Sequence, residues 1–260
     1  MSYRHRVLAV AAVLAFAGAA DADETTFCNF YITSLPYTIA AQGHYCFDRN
    51  LSTAITSGAA INIASDYVLL DLNHFKLGGG AAGPGTTAVG IQSLGGHRDV
   101  TIRNGDIRGF SVGILLEGDR DMIVEHNELD GSTSKGIWVL GVSGTAIVRN
   151  NLVTNTGGST DAYGIEASAD SVFMRDNVVG NVSSAAGQIV GIALGDGRPS
   201  PPALVAERNL ITLGEAAGLK YGVFFFNRGV ARDNTVLGAS SAADAFFPAP
   251  ALIGQNYSNP

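Results

Sequence analysis

The chain has 260 residues, 33 of them glycine, with 46% hydrophobic and only 15% charged residues. That is too much apolar material for a disordered chain and too much glycine for an architecture of long helices. A formal net charge of −7 argues against wrapping nucleic acid, which needs clustered Lys and Arg, and lysine is confined to Lys76, Lys135 and Lys220.

Taken in chain order, Arg4 and Arg6 precede an unbroken small and apolar run from Val7 to Ala20, and Ala20-Asp21-Ala22 offers a small-x-small cleavage site. Residues 1–22 therefore read as a secretory signal peptide, the run being too short for a membrane span. The predicted mature protein is secreted or periplasmic, with no membrane association after cleavage. In an oxidising compartment Cys28 and Cys46, with no third cysteine in the chain, are expected to form one disulfide. A metal site would need more ligands than this pair and the neighbouring His44 supply.

Residues 23–64 read as an N-terminal cap and first coil, with Phe30-Tyr-Ile-Thr and Tyr45-Cys-Phe-Asp alternating at period two. Repeats follow over 65–245. A Gly-Ile phrase recurs at Gly90-Ile91, Gly113-Ile114, Gly136-Ile137, Gly164-Ile165, Gly191-Ile192 and, as Gly-Val, at Gly222-Val223, with spacings of 23, 23, 28, 27 and 31 residues. Between these lie runs ending at Asn127, Asn151, Asn177, Asn209 and Asn234, with Gly105 in the aligned place one coil earlier. Residues 246–260 read as a C-terminal tail or cap. Each unit has room for short strands and none for a helix, so it cannot bury its own apolar face, and stacked copies would. Coils near 23 residues fit turns of a parallel β-helix, stacked about 4.8 Å apart. The variable spacing predicts loops of different length at one corner, with Thr154–Tyr163 and Gly195–Pro202 as the main insertions. The Asn and Gly column predicts a sharp corner at positive φ, which these residues tolerate best, with the amides bonded up the stack. Glu125, Arg149, Arg175, Glu207 and Arg232, two residues before each Asn, read as a solvated face in which Arg149 above Arg175 is a mismatch.

Val-Leu-Leu-Asp-Leu-Asn at 68–73, Val-Thr-Ile-Arg-Asn-Gly at 100–105 and the Gly-Ile units resemble the repeats of the pectate-lyase-like superfamily over about residues 45–240. The resemblance implies an all-β fold, a right-handed single-stranded parallel β-helix, here with a disulfide-tied N-terminal cap. It implies no single activity, since the superfamily holds polysaccharide lyases, glycoside hydrolases, uronate epimerases and non-catalytic proteins. The chain lacks the Asp-Pro-His-Asp run of alginate epimerases and the Asn-Thr-Asp and Gly-His-Gly elements of polygalacturonases. Gly96-His97-Arg98 reads as an ordinary turn and His74 as a corner residue.

Period two places Ile inward and therefore Gly outward, leaving a shallow trough beside an outward column of Gln92, Leu115, Trp138, Glu166, Ala193 and Phe224. An exposed apolar row of this kind marks a contact surface, the alternative being that long loops or the C-terminal tail cover this face. The predicted function is binding, with cleavage or modification as an extension, of polysaccharide along this Gly-Ile face, through Trp138, Glu166, Leu115 and Phe224. A non-catalytic exported surface or binding solenoid is the alternative. A uronate lyase would need a base and a cation, for which Lys135, Glu166 and Arg228 are the available candidates. Glu117, Asp119, Asp121 and Asp130 read as polar loop chemistry, with calcium the alternative that no spaced loop motif supports. No metal, cofactor or nucleic-acid partner is expected, and the protein is expected to be a monomer.

Overall fold

The computed structural model describes residues 27–195, 203–248 and 251–259, with the backbone alone for 251–253. The expected signal peptide lies outside these residues. The described chain is a right-handed parallel β-solenoid of about eight turns with almost no helix. Each coil lays one short strand on each of three faces. In a representative coil these are Val112–Glu117 on the first face, Arg120–Glu125 on the second and Glu128–Asp130 on the third. In the next coil Lys135–Arg149 runs across the first two faces as one bent strand, and Leu152–Thr154 lies on the third. All strand pairings between coils are parallel, with Ile114 opposite Ile137 and Leu129 opposite Val153, and register shifts occur only where coils differ in length, as between Val139 and Thr145.

Register makes the core. A single inward column on the first face runs Ile61, Ile91, Ile114, Ile137, Ile165, Ile192, Val223. The third face supplies Leu77, Ile107, Leu129, Val153, Val179, Ile211 and Val236. These side chains are almost wholly buried, and each contributes about 1.5–3 kcal/mol of transfer free energy.

The Gly of each Gly-Ile phrase does not face outward. The chain bends there, so Gly and Ile both point into the core. A Cβ on Gly136 would collide with Val153 Cγ1 and stand 2.6 Å from the Gly164 carbonyl oxygen, and Gly113, Gly164, Gly191 and Gly222 are likewise pressed by Leu129, Val179, Ile211 and Val236. The glycine column makes room for the third-face core. It forms no external trough.

The corner between the second and third faces also differs from expectation. The residues at positive φ are those before each Asn: His126 (56°), Asn150 (55°), Asp176 (55°), Arg208 (53°) and Asp233 (53°). The following Asn turns its side chain inward and is buried. Each Oδ1 accepts the backbone N–H and the Nδ2 of the Asn one coil before, as Asn177 does from Asn151 at 3.1 Å each. Each Nδ2 also donates to a backbone carbonyl, Asn177 to Val148 at 2.9 Å. The ladder begins where Gly105 N–H donates to Asn127 and ends at Asn256, which accepts from Asn234. The amide bonding up the column is as expected, and it uses the whole hydrogen-bonding capacity of the side chain.

Coil length varies at two corners rather than one. Thr154–Tyr163 lies between the third and first faces, where Gly157–Gly158 pairs with Ser183–Ser184. The second expected insertion lies outside the described residues beyond Gly195, and the strands that flank it, Ile189–Leu194 and Ala203–Glu207, belong to the first and second faces. In the expected cap and first coil Phe30–Ile32 pairs with Tyr45–Phe47, and coil pairing reaches the C-terminal segment, where Tyr257–Asn259 pairs with Thr235–Leu237. The Cys28–Cys46 disulfide ties down the first of these pairings.

Candidate functional site

The outward column of the first face runs in register through Asn62, Gln92, Leu115, Trp138, Glu166, Ala193, Phe224 and Phe247. Parity therefore holds for Trp138, which is half-buried, as are Leu115, Glu166 and Phe224. Ala193 is outward by register yet fully buried, in a small outer cluster with Val190 and Tyr221, against which Tyr163 and Phe224 pack.

A second outward column stands one step upstream, just before the bend at Gly: Val112, Lys135, Tyr163, Val190, Tyr221. The two columns meet in one compact group. The Lys135 ammonium pairs with the Glu166 carboxylate and lies 3.8 Å from the centre of the Trp138 ring and 4.5 Å from that of Tyr163. Each partner of the ion pair keeps only 15% side-chain exposure, so the attraction acts in a medium poorer than water and breaking it would strand a charge. Burial, with the Glu166 charge behind it, pushes the Tyr163 hydroxyl above the usual tyrosine range, against a hydrogen bond with Gln188. Trp138 Nε1 is buried and has no hydrogen-bond partner among the described residues. Toward the C-terminal end the surface becomes aromatic. Phe224 lies 5.3 Å from Tyr221, 4.9 Å from Phe226 and 5.5 Å from Phe247 between ring centres.

Among the residues singled out by sequence, Lys135, Trp138 and Glu166 come together, with Leu115 one coil before Trp138. Phe224 joins through the outer cluster. Arg228 does not, being exposed in the turn after the Lys220–Phe225 strand, three coils beyond Lys135. Tyr163 and Gln188 were missed. The signal for Tyr163 was its place immediately before Gly164, the place Lys135 holds before Gly136.

The acidic residues considered for calcium take separate partners. Asp119 is fully buried and accepts the N–H groups of Gly96 and His97 at 3.2 and 2.9 Å. Asp121 accepts Thr145 N–H, and Asp130 accepts from Thr154 and Asn155. Among the described residues the one group of three metal-capable side chains is Cys28, His44 and Cys46, whose sulfurs are joined to each other.

The stacked coils, the inward Asn ladder and the parallel register make a single architectural signature, and the sequence carries it too: the model of the right-handed β-helix region matches residues 38–211. The chain belongs to the right-handed β-helix family. No curated protein and no solved structure matches the chain. What this β-helix does must therefore be read from its own surface.

Proposed function

We propose that this β-helix is an exported saccharide-binding protein that holds a glycan against its first face and acts by binding rather than by bond cleavage. The observation that carries the reading is the grouping of Trp138, Tyr163, Lys135 and Glu166 on adjoining registers, continuous with the aromatic rings of Tyr221, Phe224 and Phe247. Half-buried rings offer flat apolar area to the C–H face of a sugar, and the ion pair offers donors and acceptors to its hydroxyls. The pairing disfavours catalysis, because Lys135 and Glu166 neutralise each other and neither stands as an unengaged acid or base. Export is supported by the basic-then-apolar N-terminus and by the disulfide, with no helix among the described residues long and apolar enough to cross a membrane.

Trp138 is the sole tryptophan, so its emission reports this site alone. Titration with a panel of neutral and acidic oligosaccharides is expected to shift that emission saturably. Trp138→Ala is expected to weaken binding about tenfold, or about 1.4 kcal/mol, with an unchanged circular dichroism spectrum. Emission indifferent to the whole panel would contradict the proposal, and release of cleaved or unsaturated products would overturn its non-catalytic part.

A further inference from the structure

The second face carries an unbalanced charge. Its outward column beside the Asn corner runs Asp71, Arg103, Glu125, Arg149, Arg175, Glu207, Arg232, in register throughout. Parallel stacking sets neighbours about 4.8 Å apart, so opposite signs attract and like signs repel. Every step in this column joins opposite charges except Arg149 to Arg175.

The charges nearby are committed elsewhere. Glu125 accepts from Arg149 Nε at 2.8 Å. Asp176 is held by Arg208 through two bonds of 2.7 and 2.9 Å, which keep its carboxyl below the usual range. Glu207 is shared by Arg208 at 2.6 Å, Arg175 at 3.4 Å and Arg232 at 3.7 Å. Arg175 Nε is buried and makes no hydrogen bond of acceptable geometry among the described residues, although its guanidinium stacks 4.9 Å from the Phe173 ring. The two arginines border a recess of about 350 Å³ lined also by Ile147, Asn150, Phe173 and the Asp176–Arg208 ion pair.

Around this step four guanidiniums, Arg149, Arg175, Arg208 and Arg232, share three carboxylates, Glu125, Asp176 and Glu207, so the group lacks one negative charge. We propose that this recess binds an oxyanion, the carboxylate or sulfate group of an acidic saccharide, between Arg149 and Arg175. Guanidinium forks suit such planar or multi-oxygen groups, and Phe173 and Ile147 supply an apolar floor for the carbon skeleton bearing them. The identity of the carrier rests on the saccharide reading above, but the oxyanion contact does not.

Calorimetric titration tests the proposal, using trigalacturonate, its methyl ester and sodium sulfate, at fixed ionic strength with chloride as the balancing salt. The parent protein is expected to prefer the acid to the ester by about tenfold. Arg149→Gln and Arg175→Gln, on the outside of the solenoid, are each expected to abolish that preference. Arg175→Lys, which keeps the charge without the fork, should retain part of it. Equal affinity of the parent for acid and ester, or an undiminished preference in both Gln variants, overturns the proposal. Sulfate separates its failure from that of the first-face reading. If neither saccharide binds, sulfate uptake by the parent but not by Arg175→Gln still supports the oxyanion recess, and no sulfate uptake by the parent overturns it. Loss of methyl-ester binding on Trp138→Ala reads the first face independently.

Discussion

Asp119 shows what one residue contributes to this surface. It sits at the corner between the first and second faces, fully buried, tying the Gly96 and His97 amides of the preceding coil to its own. Burial pushes its carboxyl above the usual range, against the help of the Ser93 hydroxyl and those amides. A carboxyl whose folded pKa exceeds its unfolded value stabilises the fold in its protonated form. That contribution is complete below the unfolded value and is lost as pH rises through the folded one. Asp119→Asn keeps the acceptor oxygen and removes the buried charge. The variant is expected to melt above the parent at pH 7, with the gap closing as the pH is lowered toward 4; thermal melts across that range check it, and a variant less stable at pH 7 would contradict it. Glycine and asparagine, at the same scale, mark the limit of what the sequence tells. Both columns were legible as columns. Their directions were not, because parity assumes an unbroken strand, whereas the backbone bends at Gly136 and its counterparts. Propensity alone also pointed to the wrong corner residue. Arg208 and His126 take the left-handed conformation at a cost of about 1–2 kcal/mol each, since this lets the next Asn reach the coil before it.

The Asn ladder is the element that most clearly holds coil to coil. An interior rung such as Asn177 satisfies the buried Asn151 N–H and the Val148 carbonyl and bonds to Asn209 in turn. Its removal orphans groups on both neighbours, each at about 1–3 kcal/mol. Asn177→Ala is therefore expected to destabilise by about 2–5 kcal/mol, and Asn256→Ala, at the end of the ladder and only partly buried, by less. Denaturant melts of both variants decide this, and equal losses would show that the ladder is not what the interior rung supports. A Val in place of Asn177 fails for the same reason and not through strained φ, as Asn177 does not carry the positive φ. The strands of the second face were equally legible from their charge spacing, down to the Arg149–Arg175 mismatch. What spacing could not show was that Arg208 turns back to claim Asp176, leaving Arg175 to share Glu207 with Arg208 and Arg232.

Over the whole molecule, repetition fixes one direction and frees the other. Along the axis every residue has the same neighbours one coil up and one coil down, which is why the fold could be read from a recurring phrase. Around the coil the faces are independent, so an aromatic and ionic group can occupy the first, a charge ladder the second, and Arg108 with Asp106, Glu128 and Asp130 the third. The grouping of Lys135 with Glu166 joins residues 31 positions apart and depends on the length of the Thr154–Tyr163 insertion, so the sequence offered its members without their meeting. The net charge of −7 disfavours distant attraction of acidic glycans and makes recognition depend on these local sites. The most direct test is a crystal structure of the protein with a bound oligosaccharide. A sugar ring within about 4.5 Å of the Trp138 indole, with hydroxyls on Lys135 or Glu166, is the predicted result. A saccharide seated instead on the third face, or in the groove beside His74, His126 and Glu128 at the Asn corner, with the first face empty, would contradict it.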